Sequence, residues 1–201
     1  LDTAYLYNGN EAALGEIFAR NPGLRGKVHI ATKLPIARCE AVADLDKYLE
    51  RSLERLRTDH VDYYLVHNVT SAAAWERLRS LGFEGWVAKQ KSVGRIANIG
   101  FSYHGPKDDF PVLLDAFDWD FCQIQYNYMN EDYQAGTTGL IAAAERGLPV
   151  IVMEPLLGGK LAAELPTEAR EILANAGLSD DPVRLALRWV WAHPEVTVVL
   201  S

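Results

Sequence analysis

Short apolar runs alternate along this chain with longer segments in which apolar residues recur every three or four positions. The runs have the length and the valine and isoleucine content of strands, whereas the longer segments have the period of amphipathic helices. The predicted strands cover residues 1–4, 28–33, 61–67, 96–101, 121–125, 150–153 and 196–200. Because these runs are apolar at nearly every position, they are typical of parallel strands that are covered by helices.

Helical spacing is clearest between the second and third predicted strands. The predicted helices cover residues 41–56, 72–91 and 133–146, and a segment that begins near Pro182 and ends before His193. Asp180 or Asp181 is a suitable N-cap for the last of these, since proline favours the first helical turn. Residues 154–180 are long and glycine-rich enough to contain a functional loop.

The order of the predicted elements favours one architecture. Strands that alternate with helices of similar length, without a glycine-rich dinucleotide-binding turn after the first strand, favour a TIM-type (β/α)8 barrel over a doubly wound sheet. Seven strands are predicted, so one strand of such a barrel is missing. Both ends of the chain have the pattern of buried strands, whereas domains usually begin and end in exposed polar segments, so we expect an incomplete barrel. Residues 1–201 are predicted to form this single domain.

Composition restricts the partners. The net charge is −7, with acidic and basic residues interspersed, which argues against a nucleic-acid surface and favours a small-molecule partner. Cys39 and Cys122 are the only cysteines and have no metal-binding spacing, so we expect no metal and a reducing compartment. No apolar run is long enough to cross a membrane and no signal-peptide pattern is present, so a cytoplasmic protein is predicted.

Four ionisable residues lie at or near the ends of successive predicted strands. Asp2 lies in the first strand and Tyr7 just after it, whereas Lys33 and His67 end the second and third strands. Neighbouring parallel strands bring their carboxyl ends together, so these side chains are expected to converge. A tyrosine titrates near pH ~10 when free and needs a cation and a desolvated site to act as an acid near neutral pH. Lys33 supplies such a cation, Asp2 is its expected partner, and His67 is placed to orient a carbonyl oxygen.

Five segments resemble motifs of the aldo-keto reductase family, in that family's order. They are DTAYLYNGNE from residue 2, IATK from residue 30, SLERL from residue 52, DYYLVH from residue 62 and NIGFS from residue 98. The resemblance implies a catalytic tetrad in which a tyrosine hydroxyl protonates a carbonyl oxygen while reduced nicotinamide delivers hydride to the carbon. By motif position the tetrad is Asp2, Tyr7, Lys33 and His67, and Tyr5 is not the acid.

The resemblance also implies a cofactor site for NADP(H) or NAD(H). Ser102 and Gln123 match positions that hold the nicotinamide carboxamide. Met153 stands where many relatives place an aromatic residue against the nicotinamide, and Tyr103 stands where an asparagine often follows the serine. The segment 154–159 matches a loop along the pyrophosphate, where Leu156, Gly158 and Gly159 are the expected contacts, since glycine lets backbone amides approach phosphate closely.

These features predict an NAD(P)H-dependent oxidoreductase that reduces an aldehyde or ketone to an alcohol. One alternative is a cofactor-binding regulatory protein on the same scaffold. Another is an inactive barrel, because comparison with the family implies that the first strand with its helix and the C-terminal segment that grips the adenosine phosphate are missing. On that basis the chain is expected to bind cofactor weakly. The substrate, the preferred dinucleotide and the oligomeric state stay open at this point.

Overall fold

The computed structural model describes residues 1–163, 165–178 and 181–200, and its centre is a parallel sheet. The six strands are β1 Ala31–Pro35, β2 Val61–Val69, β3 Ile96–Tyr103, β4 Phe121–Gln125, β5 Val150–Met153 and β6 Val196–Val199. Each strand pairs in parallel with the next one along the chain, in the order β1-β2-β3-β4-β5-β6. Sequential parallel pairing with a helix between strands is the arrangement of an α/β barrel wall.

Helices cover the outer face of this sheet. They are α1 Asn10–Arg20, α2 Val42–Leu56, α3 Ala72–Ser80, α4 Phe83–Ser92, α5 Asp109–Asp115, α6 Gly136–Glu145, α7 Thr167–Asn175 and α8 Pro182–Trp191. Short 3₁₀ turns occur at Arg25–Lys27, Ile36–Arg38 and Lys160–Ala162. No helix within the described residues is long and apolar enough to cross a membrane.

The prediction of one helix over residues 72–91 is wrong. Gly82 adopts a left-handed conformation, with φ of 87°, and separates α3 from α4. Glycine adopts this conformation without a Cβ penalty and commonly ends a helix. Ser71 begins α3, because its side chain accepts a hydrogen bond from the Ala74 amide at 3.1 Å.

The predicted first strand is reduced to one bridge. Asp2 pairs with Ala31 at the outer edge of β1, through the hydrogen bonds Thr3 N–H to Ala31 O at 2.9 Å and Ala31 N–H to Leu1 O at 2.8 Å. The second strand begins at Ala31 rather than at Val28, since the preceding residues form a 3₁₀ turn and an extended connection.

The structure corrects the predicted start of α6 and selects the N-cap of α8. The third predicted helix begins at Gly136 rather than at residue 133, and Gly136 itself has a positive φ of 56°. Asp181 caps α8, because its carboxylate accepts a hydrogen bond from the Arg184 amide at 3.1 Å. The alternative cap, Asp180, lies outside the described residues. Helices α1, α5 and α7 were not predicted, and α7 lies within the segment expected to form a loop.

The core lies between the sheet and its helices. Alternate residues of a strand point to opposite faces, so Tyr64 and Val66 of β2 are buried against the helices whereas Tyr63 and Leu65 face the interior of the curved sheet. An aromatic cluster fills the helix side, with the Trp75 and Trp119 rings 4.9 Å apart. The helices are therefore fixed to the outside, and the inner face is left to form a cavity.

Candidate active site

A buried ion pair lies at β1, in which Lys33 is the middle residue and not the last one as predicted, because the strand continues to Pro35. Lys33 is 1% exposed, and its Nζ donates to Asp2 Oδ2 at 2.6 Å and to the Thr3 carbonyl oxygen at 2.7 Å. The bridge between Asp2 and β1 places the carboxylate next to the ammonium group. A buried charge is tolerated when it is paired and hydrogen-bonded, so this contact fixes the lysine. The structure thus contains the predicted pairing of Lys33 with Asp2.

Tyr7 lies above this ion pair, in the turn that leads into α1. The centre of its ring is 5.1 Å from Lys33 Nζ and 5.8 Å from the centre of the His67 ring, which it meets edge to face at 83°. Its side chain is half-exposed and borders the inner cavity. The four ionisable residues predicted from the strand ends are therefore brought together in one place.

The environment of Tyr7 keeps its hydroxyl protonated. Burial raises the pKa of Tyr7, and the carboxylates of Asp2 and Glu154 raise it further. Burial lowers the pKa of Lys33, and the Asp2 carboxylate opposes that change. The expectation that Lys33 tunes the tyrosine toward neutral pH is thus not met as a net effect here. A protonated hydroxyl is the form that donates a proton.

His67 lies in β2 beside the tyrosine. Burial lowers its pKa to about 4, and the positive charge of Lys33 and then His104 contribute to that change. The imidazole is therefore uncharged at neutral pH. Its Nδ1 is buried without a hydrogen-bond partner in the described part of the chain. A neutral ring can donate one hydrogen bond to a carbonyl oxygen.

The inner face of the sheet encloses a cavity of about 1160 Å³. Seven of the ten residues predicted for the site line it, namely Asp2, Tyr7, Gln123, Met153, Leu156, Gly158 and Gly159. Lys33, His67 and Ser102 do not appear in the lining, the first because it lies beneath Tyr7. Five of the six predicted cofactor contacts therefore share one cavity with the tyrosine.

Ser102 has a role that the sequence did not predict. Its side chain is buried, and its Oγ accepts a hydrogen bond from the Asn68 amide at 2.8 Å. Asn68 has a positive φ of 60° and lies where the pairing of β2 with β3 becomes irregular, between Val66 and Val69. Ser102 thus holds the residue that follows His67, and its own hydrogen remains available to donate.

The loop after β5 has the backbone of an anion site. Glu154, Leu157, Gly158 and Gly159 all have positive φ, with values of 58°, 50°, 63° and 89°. The Leu157 and Gly159 amides donate within the loop, to the carbonyl oxygens of Glu154 and Leu156. The amides of Leu156 and Gly158 have no acceptor among the described groups. These two amides, one on each side of the engaged Leu157 amide, are donors that a phosphate group could accept from, which fits the predicted pyrophosphate contact.

Three residues around this loop had no individual role predicted from the sequence. Glu154 lies at the cavity beside Tyr7, and its charge also acts on His104, whose pKa is lowered by burial. Asn127 is fully buried and donates through Nδ2 to the Glu154 carbonyl oxygen at 3.0 Å. The signal in the sequence was an ionisable residue at the end of an apolar strand, the same signal that identified Lys33.

The sequential parallel strands and the ionisable groups at their carboxyl ends place this chain in the α/β barrel class. The Aldo/keto reductase family matches residues 1–201, so the chain belongs to that family of oxidoreductases. This match confirms the resemblance and the barrel fold predicted from the sequence.

Individual relatives agree with the family assignment. The chain is 26% identical to the uncharacterized oxidoreductase YrpG of Bacillus subtilis, covering 98% of this chain and 71% of that protein. It is 30% identical to an aldo-keto reductase of Mycolicibacterium vanbaalenii, covering 94% of this chain and 63% of that protein. The solved structure of aldo-keto reductase AKR11C1 from Bacillus halodurans, in its holo form, matches with a TM-score of 0.77 and 26% identity, over 99% of this chain and 70% of that one.

Proposed function

We propose that residues 1–201 belong to a single catalytic barrel that reduces an aldehyde or ketone to an alcohol with NADP(H) or NAD(H). The observation that carries this proposal is the position of Tyr7 over the buried pair of Lys33 and Asp2, beside an uncharged His67, at the border of the cavity. An acid that borders an open space, next to a cation and a hydrogen-bond donor, is an arrangement that suits carbonyl reduction.

Tyr7 is the proposed proton donor. Its hydroxyl gives its proton to the carbonyl oxygen, and Lys33 stabilises the tyrosinate that remains. His67 donates a hydrogen bond to the same carbonyl oxygen and so orients the substrate. Asp2 keeps Lys33 charged and in place. In the opposite direction the tyrosinate accepts the alcohol proton.

Residues on the other side of the cavity are proposed to hold the cofactor, which supplies the hydride when it is bound. Gln123, which lines the cavity, and the buried Ser102, which does not, are assigned to the carboxamide, and Met153 is assigned to the face of the nicotinamide ring. Leu156, Gly158 and Gly159 are assigned to the pyrophosphate, which the two free amides of the loop support. The proposed substrate is a small carbonyl compound that enters beside the half-exposed Tyr7.

We also propose a cytoplasmic location. Cys39 and Cys122 are free and buried, and burial raises the pKa of the Cys39 thiol to about 11. Thiols in this state are unreactive, as suits a protein of a reducing compartment.

Turnover of the wild type and of Tyr7→Phe with NADPH and with NADH tests the proposal on a panel of aldehydes and ketones. We expect kcat/KM to fall by about 100-fold or more in Tyr7→Phe, because general acid catalysis is lost. Tyr5→Phe is the matched control and should stay within about twofold, since it keeps the ring and the backbone carbonyl. Equal rates in the wild type and Tyr7→Phe contradict the proposal. If the rates are equal and the cofactor binds saturably, the chain is a regulatory protein. If the rates are equal and the cofactor does not bind, the chain is an inactive barrel.

A further inference from the structure

The turn that carries Tyr7 has few internal restraints. We define it as the tyrosine loop, residues 4–9, and its backbone bonds include Tyr7 N–H to the Ala4 carbonyl oxygen at 3.0 Å. A cavity of about 420 Å³ lies behind the loop and is lined by most of its residues. The loop is therefore not held by dense packing on that side, and its position depends on side-chain contacts.

Arg55 of α2 supplies contacts on both sides of Tyr7 in the sequence. Its Nη1 donates to the Tyr5 carbonyl oxygen at 3.3 Å and to Glu11 Oε2 at 3.1 Å. Tyr5 precedes Tyr7 by two residues, and Glu11 follows it by four. One guanidinium group thus joins the start of the loop to the first turn of α1.

The Glu11 carboxylate makes this connection stiff. Glu11 is 1% exposed, and its Oε1 accepts a hydrogen bond from Thr32 Oγ1 at 2.6 Å. Thr32 is the buried neighbour of Lys33 in β1. A buried carboxylate needs a counter-ion, which Arg55 supplies, so removing Arg55 leaves that charge uncompensated. The network therefore links the loop to the strand that carries the lysine.

Ring contacts add to the hydrogen bonds. The Arg55 guanidinium lies 4.4 Å from the centre of the Tyr5 ring, and that ring meets Tyr48 of α2 edge to face at 4.9 Å. Both contacts are between the loop and α2. The backbone just before Tyr7 is thus held by its carbonyl oxygen and by the side chain of Tyr5.

We propose that Arg55 is a positioning residue for the reaction: through Tyr5 and Glu11 it holds the tyrosine loop so that the Tyr7 hydroxyl stays beside Lys33 and His67. The inference rests on the proposed function, in which Tyr7 is the acid. Arg55 does not line the larger cavity and makes no hydrogen bond or cation–π contact with Tyr7, so we infer that it acts through the loop.

Kinetics of Arg55→Met and Arg55→Lys test this role, with NADPH and 4-nitrobenzaldehyde as probes. We expect kcat to fall about tenfold in Arg55→Met, with the NADPH Kd within about twofold of the wild type, because small displacements of a catalytic group lower the rate strongly. Arg55→Lys keeps the charge and should recover part of the loss, and it replaces Arg55→Met if that variant does not fold. Arg51→Met, one turn earlier on α2 in an exposed ion pair, is the control and should stay within about twofold. A wild-type kcat in both Arg55 variants overturns the proposal.

A double variant separates positioning from a general structural defect. If Arg55 acts through Tyr7, adding Arg55→Met to Tyr7→Phe lowers the residual rate by less than about twofold, because the two effects are not additive. A full additional tenfold loss shows a structural effect unrelated to the tyrosine and overturns the positioning role.

An arm without turnover keeps the proposal testable if the chain is slow. Ring-labelled tyrosine NMR reports the titration of Tyr7, whose resonance is assigned from its loss in Tyr7→Phe. Release of the loop should move the pKa of Tyr7 down toward that of a free tyrosine in Arg55→Met and not in Arg51→Met, since burial is the main cause that raises it. An unchanged titration in Arg55→Met overturns the positioning role and leaves the proposed function standing. Full activity of Tyr7→Phe overturns the proposed function, and the positioning role falls with it.

Discussion

Glu154 places a negative charge beside Tyr7, the proposed acid, which has to keep its proton until the reaction. Its carboxylate contributes to raising the pKa of Tyr7, after burial and Asp2. Asp2 is paired with Lys33 and His67 is uncharged, whereas Glu154 forms no ion pair within the described part of the chain and acts on the tyrosine as a negative charge. The proton on Tyr7 is therefore held partly by a residue outside the tetrad.

Glu154→Gln is expected to move the pH profile of carbonyl reduction. Removal of the charge lowers the pKa of Tyr7, and reduction needs the protonated tyrosine, so the basic limb of kcat/KM shifts to lower pH. The pH dependence of kcat/KM measures this, with Glu50→Gln on α2 as a control that leaves the limb in place. A limb that stays in place or moves to higher pH in Glu154→Gln contradicts the assignment.

His67 makes stability depend on pH. Its pKa is about 4 in the folded chain and near 6.5 when unfolded, so the unfolded state binds more protons as pH falls below 6.5. Between pH 7 and pH 5, the free energy of unfolding of the wild type is thus expected to fall by about 1 kcal/mol more than that of His67→Asn, after allowance for the partial exposure of the side chain. Urea unfolding at the two pH values measures the difference, and equal losses in both proteins argue against it.

The sequence predicted which ionisable residues lie together better than it predicted their contacts. The pairing of Lys33 with Asp2 follows from their places on adjacent strands, and the structure contains it. The buried hydrogen bond from the Asn68 amide to Ser102 was not predictable, because it depends on a local irregularity between β2 and β3. The rise in the pKa of Tyr7 was not predictable for a similar reason. It depends on burial and on the nearby Glu154 carboxylate, and neither is visible in a sequence motif.

At the scale of elements, α1 and α2 meet at a glycine. A Cβ added to Gly15 would overlap the carbonyl oxygen of Arg55, so the two helices approach each other more closely there than any side chain allows. The same contact brings Arg55 next to the helix that carries Glu11 in its first turn. Small residues at such crossings set the distance between helices.

Gly15→Ala is therefore expected to destabilise the fold by about 1–3 kcal/mol, because overpacking forces the backbone to shift. Gly85→Ala is a matched control in α4, since an added Cβ there meets nothing within 4 Å. The free energy of unfolding of that control should rise by up to about 1 kcal/mol, because alanine has a higher helix propensity than glycine. Urea unfolding measures the stability of the two variants. A Gly15→Ala protein as stable as the wild type contradicts the close contact.

Apolar periodicity located the strands well because burial on both faces gives continuous apolar runs. The same signal failed where a single residue changes the backbone, as at Gly82, which ends α3 inside a continuous amphipathic pattern. It also missed α5, whose seven residues are too few to show a helical period.

At the scale of the whole molecule, the sheet is curved and its inner face is open to ligands. In the described part of the chain β6 pairs only with β5, and the outer edge of β1 carries only the bridge at Asp2. The cavity of about 1160 Å³ is lined by apolar strand residues as well as by the proposed site. An apolar surface of this kind binds amphipathic dyes.

We expect the folded chain to bind the dye ANS in this cavity and NADPH to displace it. Val198→Asp should lower the dye fluorescence, because Val198 lines the cavity and is 45% exposed. Ile172→Asp is the control, since Ile172 is 68% exposed on α7 and does not line the cavity. Titration of the three proteins with ANS tests this, and equal enhancement in all of them places the dye elsewhere.

The acid and its cation belong to parts of the molecule that differ in mechanical strength. Lys33 lies in a strand paired with β2 on one edge and bridged at Asp2 on the other, whereas Tyr7 stands on a loop with cavities on two sides. Segments with few contacts open locally at a lower free energy than the sheet. On warming, the tyrosine is thus expected to leave the lysine while the strands are still paired. Reversible loss of turnover then has a lower midpoint temperature than the loss of circular dichroism.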